Sequence, residues 1–161
     1  MNSNFKMANS KRHNPLKKSL GIGAGIGIHA SAFAEAIPGE EIKVGVIGLS
    51  VHSAAYTEII NSGASSPEFS GCRVVAIFHP KGNPDVEFSE KQLQSFTETI
   101  KGQGVEFVSS IKKLLKKVDA VMLLTNDGRP HLKEIMPVLK AGKPVYVDKP
   151  LAASLSDVLA I

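Results

Sequence analysis

The sequence is short of the residues that several kinds of chemistry require. It has one cysteine, Cys72, so it forms no internal disulfide and no multi-cysteine zinc or iron–sulfur site; the thiol is expected to be a small buried side chain before a strand. Its five histidines, His13, His29, His52, His79 and His131, include no pair at the H-x-x-x-H spacing of a helical metal site, and no metal is expected. The stretch Leu20–Ile28 is glycine-rich and too short and weakly hydrophobic for a stable transmembrane span. Charge of one sign is also missing beyond residue 36. The net +4 comes from Lys6, Lys11, Arg12, Lys17 and Lys18 against Glu35, and residues 37–161 balance 14 basic against 14 acidic side chains. A domain without net charge lacks the main support for nucleic-acid binding.

The 161 residues, 43% hydrophobic and 21% charged, suit one soluble globular domain of ordinary size. Residues 1–36 have the form of an export leader: a basic segment ending at Lys18, the weak apolar stretch, and Ala32-Phe33-Ala34 as an A-x-A cleavage pattern before Glu35. Ser10-Lys11-Arg12 followed by Leu16-Lys17 is a near match to a twin-arginine leader, with Lys11 at the first arginine position. The expected location is therefore periplasmic or extracellular, with a disordered basic tail as the alternative. The folded domain is expected over residues 40–161.

That domain is organised around Lys43-Val44-Gly45-Val46-Ile47-Gly48, an apolar run with the two-faced hydrophobicity of a central parallel strand, which breaks on glycine and passes into a helical pattern. A helix is expected from near Ser53, as N-cap, to a stop at Gly63. Backbone N–H groups at such a turn, with the positive end of a helix dipole behind them, form a site for a phosphate or pyrophosphate. Gly48-Leu49-Ser50-Val51-His52-Ser53 lies on the G-x-G-x-x-G dinucleotide fingerprint with only its first glycine kept. Ser50 offers a hydroxyl to a phosphate instead.

Strand and helix then alternate: strands at Arg73–Phe78, Val105–Val108, Ala120–Leu124 and Pro144–Val147, with helices near Ser89–Lys101, from Ser110, and up to Ala141 before Gly142. This pattern predicts an α/β fold, a Rossmann-like doubly wound parallel sheet in three α/β/α layers. Ligands in such sheets bind beyond the carboxyl ends of the strands, which nominates Thr125, Asn126, Asp127 and His131 after the fourth strand and Asp148 and Lys149 after the fifth. Turn chemistry alone also explains the Asn, Asp and Gly of the first group. A lysine buried at such an edge needs a partner or a ligand, and Asp148 is its adjacent carboxylate; an exposed loop lysine is the plain alternative. Where NAD sites place a ribose-binding acid, after the second strand, this chain has His79-Pro80-Lys81. His79 and Lys81 suit a 2′-phosphate and hence NADP, and an ordinary polar loop fits equally well.

Three of these elements together resemble the Gfo/Idh/MocA oxidoreductases over residues 42–161: the Val46-Ile47-Gly48 turn, the Thr125–His131 loop, similar to T-P-N-x-x-H, and Ala141–Ala152, similar to A-G-K-H-V-x-x-E-K-P-x-A. The resemblance implies an NAD- or NADP-dependent oxidoreductase acting on a sugar or polyol. It makes Lys149 the motif lysine that assists proton transfer or orientation beside nicotinamide and substrate. Gly48, Leu49, Ser50, Val51, His52, His79, Thr125, Asn126, His131, Asp148 and Lys149 become the cofactor-binding set. Asp148 replaces the family's usual glutamate, and the Thr125 loop is one residue longer than the pattern. Family members continue into a mostly β domain that completes the substrate pocket and the oligomer interface, so the chain is expected to be a nucleotide-binding part of such an enzyme, homo-oligomeric when full length. The alternative expectation is a non-catalytic binding or scaffold domain that kept the sheet and lost the cofactor.

Overall fold

The computed structural model describes residues 41–63 and 71–161. The expected leader and most of the connection into the second strand lie outside the described residues. The elements run β1 (Ile42–Ile47), α1 (Val51–Ser62), β2 (Cys72–Phe78), α2 (Glu90–Gly102), β3 (Glu106–Phe107), α3 (Ile111–Leu115), β4 (Ala120–Leu123), α4 (His131–Lys140), β5 (Val145–Val147) and α5 (Leu155–Ala160). Cys72 opens β2 rather than preceding it, and it is half-buried. Among the described residues no helix is long and apolar enough to cross a membrane.

The strands form one parallel sheet in the order β3-β2-β1-β4-β5. Period-two alternation sends successive side chains to opposite faces, and each face is covered. Val44, Val46, Val74, Ile77 and Leu124 pack with Ala54 of α1 and Ile100 of α2. Ile47, Ala76, Val121 and Leu123 pack with Leu114 of α3 and with Ile135 and Val138 of α4 on the other side. The result is the doubly wound, three-layer arrangement that the alternation of strand and helix predicts.

The order of the strands matters for function because the chain leaves β1 toward β2 on one side and returns to β4 on the other. The crevice between these two directions opens at the carboxyl ends of β1 and β4. Pairing keeps those ends level: Ile47 is opposite both Phe78 and Leu123, and Leu123 is opposite Val147. Backbone bonds from Gly48 N–H to the Phe78 carbonyl (2.9 Å), Leu124 N–H to Ile47 (2.7 Å) and Asp148 N–H to Leu123 (3.0 Å) carry the alignment one step past the strands. Residues 48, 79, 125 and 148 therefore emerge along one edge.

Two connections at this edge are fastened together. In the β2–α2 loop, Asp85 takes a bidentate contact from the Arg129 guanidinium (2.8 and 3.0 Å), while Arg129 Nε donates to both oxygens of Asp127 (2.8 and 2.9 Å). Asn83 Nδ2 also donates to Asp127, and Asn126 Nδ2 donates to the Val86 carbonyl at 3.0 Å. Arg129 holds the Asp127 carboxyl down at about 2 and lowers that of Asp85 as well. Planar, bidentate pairs of this kind give geometry more than stability, since single exposed ion pairs contribute little.

Gly48 tests the turn itself. Its φ of +100° lies in the left-handed region, and a Cβ there would stand 2.7 Å from the Leu124 carbonyl carbon. Gly48→Ala is expected to lower stability by about 2–4 kcal/mol, read from denaturant unfolding, because strain and a backbone clash coincide. The clasp has a pH signature. The depressed carboxyl values mean that its contribution is complete above about pH 4 and is lost as pH falls toward about 2, where Asp127 protonates. Amide exchange at residues 83–87 should accelerate over that window, and Arg129→Met should show the faster exchange already at neutral pH.

Candidate functional site

The turn after β1 resolves the two missing glycines. Helix α1 starts at Val51 with Ser50 as its N-cap, three residues earlier than the cap expected at Ser53. Ser53 is instead the third helical residue, and the two serines cap each other: Ser50 Oγ accepts from Ser53 N–H (3.2 Å), and Ser53 Oγ accepts from Ser50 N–H (3.2 Å). Ser53 Oγ donates its own proton to the Gly48 carbonyl (2.9 Å), so the 3.1 Å contact between the hydroxyls is a bond from Ser50 to Ser53. The Ser50 hydroxyl is thus spent within the turn and is not the phosphate donor that the fingerprint position suggests. With Ser50 only 4% exposed, its side chain also leaves the crevice clear. The N–H groups of Leu49, Val51 and His52 make no hydrogen bond among the described residues, and they sit at the positive end of α1.

Two cavities flank this turn. The larger, about 190 Å³, is lined by Gly48 and Leu49, by His79, Lys81 and Glu87 of the β2–α2 loop, and by Thr125, Asn126 and Asp127 of the β4–α4 loop. The smaller, about 20 Å³, lies between Ser50, Val51, His52, Thr125, Asn126, Asp148 and Lys149. Every candidate named from the sequence borders one of them except His131. The His131 ring is fully buried, with Nε2 2.9 Å from the Thr125 carbonyl and Nδ1 3.1 Å from the Leu151 carbonyl. It ties the loop after β4 to the loop after β5 from behind the crevice. Gly128 makes room for that junction, since a Cβ there would lie 2.8 Å from the Pro150 ring and 3.0 Å from the Ala152 backbone.

Electrostatics divide the edge further. Asp148 is the buried carboxylate of the β5 terminus, while Lys149 is exposed, the plain alternative to a buried lysine paired with Asp148. The partner of Asp148 is His52 Nδ1, from the first turn of α1. Burial pushes the Asp148 carboxyl up, but the bonds from His52 and the Lys149 backbone outweigh it and hold it below its usual range. The His52 ring stacks on Tyr56 with centroids 5.3 Å apart. At the other cavity, burial lowers the His79 imidazole, Glu87 opposes that shift, and Nδ1 is buried without a partner among the described residues.

Several side chains at the site lay outside the sequence reading. Glu134 is 5% exposed beneath the β4 loop, where its Oε2 accepts from Thr125 Oγ1 (2.7 Å) and burial raises its carboxyl above the ordinary value. Its signal was a charge on the same helical stripe as Ile135 and Val138. Asn83, Asp85 and Arg129 had no such signal, because pairing between residues more than 40 positions apart leaves no local pattern, and Glu87 had none in a loop without periodicity.

The fold has counterparts among known proteins. Residues 42–161 match the family model described as "Oxidoreductase family, NAD-binding Rossmann fold". Among solved structures, a dehydrogenase (MviM) from Clostridium difficile is 28% identical with a TM-score of 0.53, over 73% of this chain and 33% of that one. The 3-ketoreductase KijD10 from Actinomadura kijaniata, in complex with TDP-benzene and NADP, is 25% identical with a TM-score of 0.51, over 75% of this chain and 34% of its own. UDP-N-acetylglucosamine 3-dehydrogenase GnnA from Acidithiobacillus ferrooxidans, at 18% identity and a TM-score of 0.54 over 74% and 33%, is similar in fold. The chain spans about a third of the length of these structures. No curated protein sequence is significantly similar. The match over residues 42–161, on a sheet wound in this order, places the chain in the Gfo/Idh/MocA oxidoreductase family, with its NAD-binding Rossmann fold.

Proposed function

We propose that this chain is the nicotinamide-dinucleotide-binding part of an exported oxidoreductase whose substrate is a sugar, a sugar derivative or a polyol. The observation that carries the reading is the set of N–H groups of Leu49, Val51 and His52 at the head of α1, which have no partner among the described residues and are flanked by one cavity on each side. An extended ligand with a pyrophosphate at its centre fits that layout: N–H donors for the anion in the middle, a roomy pocket for one end, and charged residues at the other. Similarity to dehydrogenases, including the NADP-bound ketoreductase, supports the same choice.

When bound, the nicotinamide ring supplies a hydride acceptor or donor, and the chain's own residues supply the rest. The Gly48 turn and the α1 dipole hold the pyrophosphate charge. His131 meets the Thr125 carbonyl and Glu134 the Thr125 hydroxyl, so this wall of the crevice is braced at Thr125. Asp148 holds the His52 imidazole at the mouth of the smaller cavity. The exposed Lys149 side chain beside that cavity would donate a proton to a substrate carbonyl oxygen as an ammonium, or accept one from a substrate hydroxyl as a neutral amine. The substrate pocket is assigned to a further domain, as in the longer family members.

The alternative, a domain that kept the sheet and lost its cofactor, draws on the serines at the fingerprint glycines. Their mutual capping leaves the N–H groups open, which weakens that argument. Isothermal titration of the full chain is expected to give micromolar affinity for NADH or NADPH; no saturable heat from either would remove the oxidoreductase reading. With a substrate domain in place, Lys149→Ala is expected to lower kcat by about 10²-fold while leaving the cofactor Kd within about threefold.

A further inference from the structure

Sites of this kind hold the adenosine ribose with a carboxylate at the end of the second strand, and this chain has His79 there. The larger cavity nevertheless contains a carboxylate. Glu87 reaches it from eight residues further along, lining the same pocket as Gly48, Leu49 and His79. Its Oε2 lies directly against the Gly82 α-carbon, in the space that a Cβ would need, so the acid is folded back over the 79–83 turn. Its other oxygen, Oε1, accepts from the Phe88 N–H at 3.2 Å.

This placement is not accidental to the loop. The N–H groups of Val86 and Glu87 both bond the Asn83 carbonyl, at 3.1 and 2.9 Å, closing a tight turn around residues 83–87. The same turn is fastened to the opposite wall through Asp85–Arg129, Asn83–Asp127 and the Asn126 bond to Val86. A clasp formed by residues on both walls thus fixes where Glu87 stands.

We infer that Glu87 is the ribose-selecting acid of this chain, supplied from the clasped loop in place of a strand-end carboxylate, and that it makes the site prefer NAD(H) over NADP(H). The inference rests on the cofactor reading above. A carboxylate accepts hydrogen bonds from vicinal ribose hydroxyls and repels a 2′-phosphate. The competing cations are poorly matched to that phosphate. His79 is driven toward its neutral form by burial, and Lys81 is an exposed single charge. The second acid in the cavity, Asp127, has its oxygens occupied by Arg129 and Asn83.

The test is titration of the full chain with NADH and NADPH, for the unaltered protein, Glu87→Gln and Arg129→Met, with cooperative unfolding of each checked first. The unaltered protein is expected to bind NADH at least about tenfold more tightly than NADPH, and Glu87→Gln to reduce that ratio by about tenfold. Arg129→Met, which frees the loop while leaving the acid in place, is expected to shrink the ratio in the same direction. A preference for NADPH in the unaltered protein, or a ratio that Glu87→Gln leaves unchanged, overturns the inference while the cofactor reading stands. Absence of binding by either nucleotide overturns both.

Discussion

The whole edge depends on how closely the β1 turn approaches the backbone that follows β4. Gly48 lies against Leu124 and Thr125 with no space for a side chain, and the hydrogen bond from Leu124 N–H to Ile47 locks the two chains side by side. Because parallel register then keeps β2 and β5 level with this pair, four loops open onto one crevice without needing long excursions. The α1 N-terminus is aimed by the same contact. Loosening it would move the head of α1 relative to both cavities, so the geometry of the crevice and the packing of the sheet are one problem.

Around that contact, polar groups are used economically. Buried polar side chains are costly unless bonded, and three that border the β4 and β5 loops are bonded so as to join elements. Thr125 is bonded by Glu134, the Thr125 and Leu151 carbonyls face the His131 ring, and Asp148 is bonded by His52. The loops after β4 and β5 are thereby joined to α4 from behind the crevice and to α1 at the smaller cavity, while the N–H groups of Leu49, Val51 and His52 have no partner among the described residues. A crevice wall braced in this way binds with little rearrangement.

Much of this was legible in the sequence because its signals are local. The apolar runs around Val46, Ile77 and Leu123 identify buried parallel strands, Gly48 and Gly63 mark the limits of the first turn and helix, and the helices expected from Ser89 and Ser110 begin there, with those serines as N-caps. The N-cap of α1 was misplaced by three residues because Ser50 and Ser53 are both good caps, and only the backbone shows that Ser50 is extended while Ser53 is helical. Position at a strand end says only that a residue is near the crevice, and it leaves open which of two neighbours is buried; here Asp148 is buried against His52 and Lys149 is exposed. The Asp85–Arg129–Asp127 clasp and Glu87 were invisible because nothing within either loop requires the other.

The reciprocal serines have one more consequence, which concerns the unfolded chain. Glycine at those two positions would sample far more backbone conformations before folding, and the turn would lose more entropy in becoming ordered. Serine narrows that range from the outset, and its hydroxyl bonds keep the turn in its folded shape when no anion is present. The loop proposed to meet the pyrophosphate is thus preset, and association with an anion would cost it little further loss of freedom.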